Sequence, residues 1–339
     1  MAQGSSAAIA GTSGACRSLC QDQQETGVPA TGASVFYGGM TACHIIRSGR
    51  MDQNEWSDNL VWTAEMLETD RGVFEIFTQG QGDPLCIAHL YSEFNVRGYY
   101  FADRFTDEFR VYLINLKEAG NSCKIKSEHE LSMAETCKDL EAVREALALE
   151  QWSYAGHSTG GMLGLMYAIH YPGSLTKMLV GGAAASNRYM EHEGSMYCPG
   201  SPLNDRLREL FSIMQSAEST REERSQAGRE WTEMSLYKPE HFDHYFAEPS
   251  SGRVVHRRLD YYSYVELPNY DITGLLPAVL TPSIIYCGEH DTQCPLSCSQ
   301  EIAEHLPNSK LVVFHDSSHV PYLEEKALFV EMVKEFKNR

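Results

Sequence analysis

The chain has 339 residues, of which 42% are hydrophobic and 22% are charged, and its formal net charge is −18. This composition is typical of a globular protein with one large α/β domain and an insertion. The negative charge argues against nucleic acid or an anionic membrane as a partner, and we find no apolar run long enough to span a bilayer. We therefore expect a partner that is a small molecule or a short peptide.

The first part of the chain, residues 1–50, is rich in Gly, Ala, Ser and Thr and lacks the period of a helix or a strand. It contains no basic segment followed by an apolar core, so a secretory signal is not expected, whereas a targeting peptide for an organelle stays open. We predict an N-terminal extension without a fixed fold over residues 1–55, with the folded sequence beginning at residue 56.

The ten cysteines do not have the spacing of a structural metal site or of a disulfide framework. Two pairs are four residues apart, but neither has the second pair that a zinc site needs. Others lie within apolar runs, where a free cysteine behaves as a small hydrophobic residue. We therefore expect reduced thiols, a cytoplasmic location, and neither a metal nor another cofactor.

Short strands alternate with helices from about residue 60. Residues 60–67 and 73–78 flank a four-residue turn and predict an antiparallel hairpin. Apolar runs without alternation are typical of parallel strands that are buried on both faces. Such runs, together with the short run that begins at 151, predict six further strands, at 84–90, 111–116, 151–157, 175–180, 282–287 and 310–314. Helical spacing of apolar residues predicts helices at 133–148 and 321–336.

The turn after the predicted fifth strand carries the most specific motif. Residues 154–161 read Tyr-Ala-Gly-His-Ser-Thr-Gly-Gly and contain the G-x-S-x-G pattern between a strand and a helix. The two glycines allow strand and helix to approach closely, and Ser158 then stands on a sharp, strained turn. An ordinary turn with a buried serine is the alternative. The context favours Ser158 as a nucleophile.

A serine nucleophile needs a base and an orienting acid, which in this topology follow on the loops after later strands. The loop after the seventh strand contains Glu289 and Asp291, and we favour Asp291 because Glu289 lies nearer the strand end. The loop after the eighth strand contains His315 and His319. His319 lies just before the last helix, so we predict that it is the base and that His315 is structural.

The oxyanion that forms during acyl transfer needs two backbone N–H donors. Thr159 follows the nucleophile at the start of a helix and is the first candidate. The loop after the third strand, residues 89–94, should supply the second, and Tyr91 is our candidate. A plain loop with a packed tyrosine is the alternative there.

The alternation of strands and helices stops between residues 187 and 272. This segment is rich in Glu, Arg, Tyr, His and Met, and its clearest period is helical, as at 207–214. We predict a helical lid over 187–272, inserted after the sixth strand into a core of residues 56–186 and 273–339.

These motifs together resemble the α/β-hydrolase fold, and within it the proline iminopeptidase branch of serine peptidases and its unassigned relatives. The resemblance covers nearly the whole chain from about residue 60 to 336. It implies an eight-stranded, mostly parallel sheet with helices on both faces and a triad of Ser158, Asp291 and His319. It also implies a substrate-binding role for His89, in the oxyanion loop, and for Trp231 and Glu233, which resemble the element of the lid that holds the substrate's amine.

Two departures from that family affect the prediction of specificity. The family's oxyanion loop reads His-Gly-Gly-Pro-Gly, whereas residues 89–93 read His-Leu-Tyr-Ser-Glu. The lid element is Trp-Thr-Glu here and is similar to the family's Trp-Glu, not identical. The resemblance predicts a serine hydrolase that acts through an acyl-enzyme, with an aminopeptidase like proline iminopeptidase as the first interpretation. A carboxylesterase or lactonase is the alternative, and a ligand-binding protein with an inactive triad is a third.

Overall fold

The computed structural model describes residues 61–339, and the predicted extension over residues 1–55 lies outside this range. The described part of the chain forms ten strands. They are β1 (Thr63–Thr69), β2 (Gly72–Gln79), β3 (Asp83–Ile87), β4 (Ser92–Glu93), β5 (Phe109–Ile114), β6 (Trp152–His157), β7 (Leu175–Gly181), β8 (Arg253–Val254), β9 (Ser283–Gly288) and β10 (Ser309–Phe314).

Eight of these strands form one sheet in the order β1-β2-β5-β3-β6-β7-β9-β10. β1 and β2 form the predicted antiparallel hairpin, and β2 is also antiparallel to β5. All later pairs in the sheet are parallel. Every residue of β6 and β9 is buried, as the continuous apolar runs predict, whereas the edge strand β1 is largely exposed. The predicted fold class, a mostly parallel eight-stranded sheet, is confirmed.

The helices of the described chain lie between the strands and after the last one. They are α1 (Met133–Ala146), α2 (Thr159–His170), α3 (Asn204–Gln215), α4 (Arg221–Glu233), α5 (Phe242–Tyr245), α6 (His256–Tyr261), α7 (Leu296–His305), α8 (Pro321–Glu324) and α9 (Lys326–Asn338). The predicted closing helix is therefore two helices, which meet at Glu325. No helix among residues 61–339 is both long and apolar enough to cross a membrane.

The topology brings several loops together at the carboxyl ends of the parallel strands. β5 lies on one side of β3 and β6 lies on the other, so the chain reverses its direction of travel across the sheet at β3. In sheets of this kind, ligands bind beyond the carboxyl ends of the strands at such a reversal. The loops that follow β3, β6, β7, β9 and β10 all lie at these carboxyl ends. We therefore expect the functional site there.

The segment between β7 and β9 contains α3 to α6, which agrees with its predicted helical character. It also contains β8, which the sequence pattern does not indicate. β8 pairs with β4 in the loop after β3, so that Ser92 lies opposite Val254 and Glu93 opposite Arg253. We call residues 187–272 the insertion, and its role as a separate lid stays a prediction.

Candidate active site

Ser158 occupies a strained turn between β6 and α2. Its backbone has φ 56° and ψ −128°, a region that side-chain-bearing residues rarely adopt. The flanking glycines are required by close contacts, because a Cβ at Gly156 would lie 2.2 Å from the carbonyl oxygen of Gly160, and one at Gly160 would lie 2.5 Å from that of Ala88. The turn therefore holds the Ser158 side chain clear of the sheet at the start of a helix.

The backbone of Ser158 is fixed on both sides of the turn. Its N–H donates to the carbonyl oxygen of Gly181 at the end of β7, at 2.8 Å. Its carbonyl oxygen accepts hydrogen bonds from Gly161 and Met162 in the first turn of α2. The N-terminus of α2 carries a partial positive charge, which favours negative charge developing beside Ser158.

Asp291 and His319 form a fully buried pair. The imidazole Nδ1 of His319 lies 2.8 Å from Oδ2 of Asp291, and both side chains are 0% exposed. The other oxygen, Oδ1, accepts from the backbone N–H groups of Gln293 and Cys294 at 2.8 and 2.9 Å. Because the carboxylate is held at both oxygens, it can fix the orientation of the imidazole ring.

The second ring nitrogen of His319, Nε2, is buried and has no hydrogen-bond partner among the described residues. The ring lies 4.6 Å from that of His157, the residue before Ser158. It also lies against Gly182, where a Cβ would be 3.1 Å from Cε1 of His319. Gly182 follows the residue that accepts the Ser158 N–H, so the structure brings His319 and Ser158 into the same small region.

His157 supports this arrangement as a neutral side chain. Its Nδ1 shares a hydrogen bond of 2.8 Å with the hydroxyl of Tyr286. Burial holds the pKa of His157 well below its ordinary value, with a further contribution from His319. His319 is therefore packed against an uncharged ring.

The rival acid and histidine form a separate pair at the surface. Nδ1 of His315 lies 2.6 Å from Oε2 of Glu289, and the side chains are 78% and 47% exposed, respectively. A hydrogen bond to Glu289 raises the pKa of His315, and the same bond lowers the pKa of Glu289. The structure thus pairs Glu289 with His315 and leaves Asp291 to His319.

Tyr91 and Thr159, the predicted oxyanion donors, both line the cavity beside Ser158. His89 is not among the residues that line that cavity, and its predicted role in binding substrate stays a prediction. Its ring nitrogens share hydrogen bonds with Ser92 Oγ at 2.7 Å and with Thr159 Oγ1 at 3.1 Å. Burial lowers the pKa of His89 to about 3, so the ring is neutral and links the loop after β3 to the start of α2.

The cavity at Ser158 is narrow and rich in tyrosine. The space available to the centre of a water molecule is about 20 Å³, close to what a single water needs. Its lining residues come from the sheet edge and from the insertion: Tyr91, Ser158, Thr159, Met162, Tyr189, Tyr197, Tyr262, Gln293 and Cys294. None of these carries a charged side chain. Burial raises the pKa of the Cys294 thiol well above its ordinary value, so this thiol is not a competing nucleophile.

Trp231 and Glu233 are not among the residues that line that cavity, and Trp231 is buried whereas the Glu233 side chain is 28% exposed. Trp231 packs against Phe211, with ring centroids 5.9 Å apart. The Glu233 carboxylate lies 2.7 Å from Nε of Arg229, which also pairs with Asp243 at 2.8 Å. In the structure Trp231 thus contacts α3 and Glu233 pairs with a cation on its own helix, and the substrate-binding role of both residues stays a prediction.

The tyrosines of the insertion were not predicted from the sequence. Tyr189, Tyr197 and Tyr262 come from three different parts of the insertion, so no local spacing identifies them. Within residues 61–339, no cluster of His, Cys, Asp and Glu side chains has the arrangement that a metal ion needs. The seven cysteines described in this range are free thiols.

Comparison with known proteins agrees with this architecture. A family model described as the alpha/beta hydrolase fold matches residues 88–326, so the chain belongs to this family. Among solved structures, an alpha/beta fold family hydrolase from Bacillus anthracis str. Sterne is 46% identical with a TM-score of 0.80, covering 81% of this chain and 99% of that one. The chain is therefore a hydrolase of the α/β-hydrolase family.

Curated relatives are more distant. The AB hydrolase superfamily protein YisY of Bacillus subtilis (strain 168) is 26% identical over 204 residues, which are 59% of this chain and 71% of the relative. A proline iminopeptidase of Heyndrickxia coagulans is 24% identical over an alignment of 216 residues that covers 59% of this chain and 72% of the relative. The predicted resemblance to the proline iminopeptidase branch is confirmed at this level.

Proposed function

We propose that the chain is a serine hydrolase with Ser158 as nucleophile, His319 as base and Asp291 as the orienting acid. The observation that carries this proposal is the buried Asp291–His319 pair, in which Nε2 of His319 has no partner among the described residues and the ring packs 4.6 Å from that of His157, the residue before Ser158 on its strained turn. A buried imidazole nitrogen without a partner costs stability, and a role as the base for Ser158 would offset that cost at His319, the ring that Asp291 orients.

The reaction proceeds in two acyl-transfer steps. His319 Nε2 takes the Ser158 proton as Oγ attacks the carbonyl carbon, and Asp291 stabilises the imidazolium through Nδ1–H. The backbone N–H groups of Thr159 and Tyr91 hold the oxyanion. The tetrahedral intermediate expels the leaving group, which takes the proton from His319. Water then attacks the acyl-enzyme with His319 again as base, and the acid product leaves. None of these steps needs a cofactor.

The lining of the cavity favours a small, neutral ester as substrate. An ammonium group taken out of water needs a carboxylate partner, and the residues that line the Ser158 cavity include none. The carboxylate predicted for that purpose, Glu233, is paired with Arg229. Tyrosine faces and the Met162 side chain provide an apolar surface for an acyl group instead.

An aminopeptidase like proline iminopeptidase is the second candidate, because curated relatives carry that name. It would require a carboxylate to move toward the cavity. Lactone hydrolysis uses the same acyl chemistry as ester hydrolysis and belongs with the first candidate.

Labelling and turnover together test the proposal. A fluorophosphonate probe should label the wild type at Ser158, located by peptide mass spectrometry, and should not label Ser158→Ala. Wild type should hydrolyse p-nitrophenyl acetate, and Ser158→Ala should lower kcat by about 10⁴–10⁶-fold. Absence of labelling on folded wild type would instead indicate a ligand-binding protein.

Glu233→Gln separates the two catalytic candidates. For an esterase, the variant should change KM for p-nitrophenyl acetate by less than about twofold, because the carboxylate lies outside the cavity. For an aminopeptidase, the variant should raise KM for proline p-nitroanilide by about 10–100-fold, since hydrogen bonds to charged groups contribute about 1.5–3 kcal/mol. Arg229→Gln is the matched control, because it removes the same ion pair and keeps the carboxylate.

A further inference from the structure

The oxyanion loop after β3 holds its backbone without the glycines of the family it resembles. Residues 89–93 read His-Leu-Tyr-Ser-Glu. Contacts with other segments support the conformation of this loop. The insertion supplies several of these. β8 pairs with β4, and the Arg253 side chain lies 2.8 Å from the Glu93 carboxylate. The Val255 N–H donates to the Tyr91 carbonyl oxygen at 2.8 Å.

Arg258, on α6 of the insertion, makes the most unusual of these contacts. Its side chain is almost fully buried, at 1% exposure. Nε donates to the carbonyl oxygen of Leu90, Nη1 to that of Lys117 at 3.2 Å, and Nη2 to Thr136 Oγ1 at 2.8 Å. All three acceptors are uncharged, and the carboxylates of Asp139, Glu266 and Glu118 act on the guanidinium only through space, where they partly offset the effect of burial on its pKa. Burial lowers the pKa of Arg258 to about 10, so the guanidinium still carries its charge at neutral pH.

Burying a guanidinium against uncharged acceptors is expensive. The desolvation of one ion costs several kcal/mol, and an apolar side chain of similar volume is often no worse for stability. Stability alone therefore gives a weak reason for a cation at position 258. The acceptor of its Nε–H offers a stronger one, because Leu90 immediately precedes the candidate oxyanion donor Tyr91.

The geometry of the peptide unit connects Arg258 to the site. The carbonyl of Leu90 and the N–H of Tyr91 belong to one planar trans unit, in which the two groups point in opposite directions. A donor that fixes the carbonyl on one side therefore fixes the direction of the N–H on the other. A cation at the carbonyl oxygen also polarises the unit and makes its N–H a stronger donor. Because Val255 holds the next carbonyl, that of Tyr91, both units that flank Tyr91 are held from the insertion.

We propose that Arg258 is a positioning residue of the oxyanion hole, which aims and polarises the Tyr91 N–H through the Leu90 carbonyl. This inference rests on the proposed serine hydrolase function, in which that N–H stabilises the tetrahedral intermediate. Arg258 does not touch the substrate. Its hydrogen bond comes from outside the loop and fixes the orientation of the Leu90–Tyr91 peptide unit.

Three variants test the role: Arg258→Met, which keeps the volume and removes the donors, Arg258→Lys, which keeps a cation, and Thr136→Val as the matched control. Thr136→Val removes one acceptor of the same guanidinium and leaves its contact with Leu90. Each is assayed for melting temperature, for kcat and KM with p-nitrophenyl acetate, and for inhibition by an aryl trifluoromethyl ketone. The ketone forms a tetrahedral adduct with the nucleophile, and its oxygen occupies the oxyanion position.

We expect Arg258→Met to lower kcat by about 10–100-fold with KM changed by less than about threefold, because loss of a whole oxyanion donor costs about 10²–10³ in kcat. Affinity for the ketone should fall by a similar factor. Arg258→Lys should recover part of both, and Thr136→Val should change the melting temperature but neither kcat nor ketone affinity by more than about twofold.

A folded Arg258→Met with kcat within twofold of wild type, or equal losses in Thr136→Val, would overturn the proposal. If Arg258→Met fails to fold, a second neutral variant, Arg258→Gln, decides, because a folded Arg258→Gln with unchanged kcat and unchanged ketone affinity would overturn the proposal equally. Wild type that is neither labelled by the fluorophosphonate nor active on the ester would mean that the proposed function itself fails. Labelled, active wild type with an unaffected variant would overturn this inference alone.

Discussion

The loops after β9 and β10 carry two acid–histidine pairs of the same chemistry in different surroundings. Asp291 and His319 are 2.8 Å apart and 0% exposed, whereas Glu289 and His315 are 2.6 Å apart and mostly exposed. The surface pair follows the strand ends directly, while Asp291 and His319 lie farther along the loops. Distance alone therefore does not distinguish a triad member from a surface ion pair.

The insertion accounts for the difference in burial. The backbone N–H of His319 donates to the Ser235 carbonyl oxygen at 3.1 Å, and Thr292 Oγ1 donates to that of Met234 at 2.8 Å. Both loops are thus covered by the chain that follows α4, and water is excluded from the inner pair. An electrostatic interaction in such a site is stronger and more strongly oriented than one exposed to solvent. Burial under the insertion, and not the distance within the pair, therefore distinguishes Asp291–His319 from Glu289–His315.

The largest expected contrast is in kcat, between a variant that lacks His319 and one that lacks His315. His319→Ala should lower kcat for p-nitrophenyl acetate by about 10⁴–10⁶-fold, because no base remains to take the nucleophile's proton. His315→Ala should leave kcat within about twofold, because its ring is exposed and paired only at the surface. Steady-state kinetics on the two purified variants measures the contrast, and comparable losses in both would remove the distinction between the pairs.

Neutralising the acids should show the same contrast at a lower magnitude. Asp291→Asn should lower kcat on the order of 10⁴-fold, because an amide at this place stabilises the wrong tautomer of His319. The matched change Glu289→Gln should alter kcat by less than about twofold. If Glu289→Gln were the more damaging of the two, the assignment of the acid would be wrong.

The smallest expected effect is on stability, and it belongs to the surface pair. The pKa of His315 is raised above 6.5, so its contribution is full below that value and is lost as pH rises through the folded-state pKa. The pKa of Glu289 is lowered below 4.5, so its contribution is present above that value and is lost as pH falls through the folded-state pKa. Both contributions to the stability of the fold are therefore present between pH 4.5 and pH 6.5.

We therefore expect Glu289→Gln to lower the melting temperature at about pH 5.5 by at most about 1–2 °C and to have no effect at about pH 9, where His315 is neutral. Scanning calorimetry at both pH values, with and without 1 M salt, measures this change in melting temperature. A difference that persists at the higher pH, or that resists salt, would show that the pair is more than an exposed interaction.

The sheet and the outer frame of the site could be predicted from the sequence because local patterns carry them. Apolar runs indicate buried strands, and two close-packed glycines around Ser158 indicate the turn. The order of the strands then places Asp291 and His319 on loops at one edge. These inferences need only the chain order and the general topology of the fold, and their roles in catalysis stay predictions.

The surroundings of the site could not be predicted, because they depend on contacts between distant segments. His89 is separated from Thr159 by seventy residues, and only the folded chain shows that its ring links the two. Resemblance to a short motif predicts that Glu233 binds the substrate's amine. In the structure its carboxylate pairs with Arg229, one helical turn away. Arg258 and Leu90 are 168 residues apart in the sequence, so no local pattern indicates their contact.

The hydrogen bonds between the insertion and the sheet loops limit how far this protein can be treated as modular. Residues 234–235 hold the loops of Asp291 and His319, and residues 253–258 hold the loop after β3. Excising the insertion, or exchanging it for that of a relative, would leave these loops without backbone partners. A new specificity is therefore better sought by changing single side chains in the cavity, such as Tyr189 or Tyr197, than by recombination at the insertion boundaries.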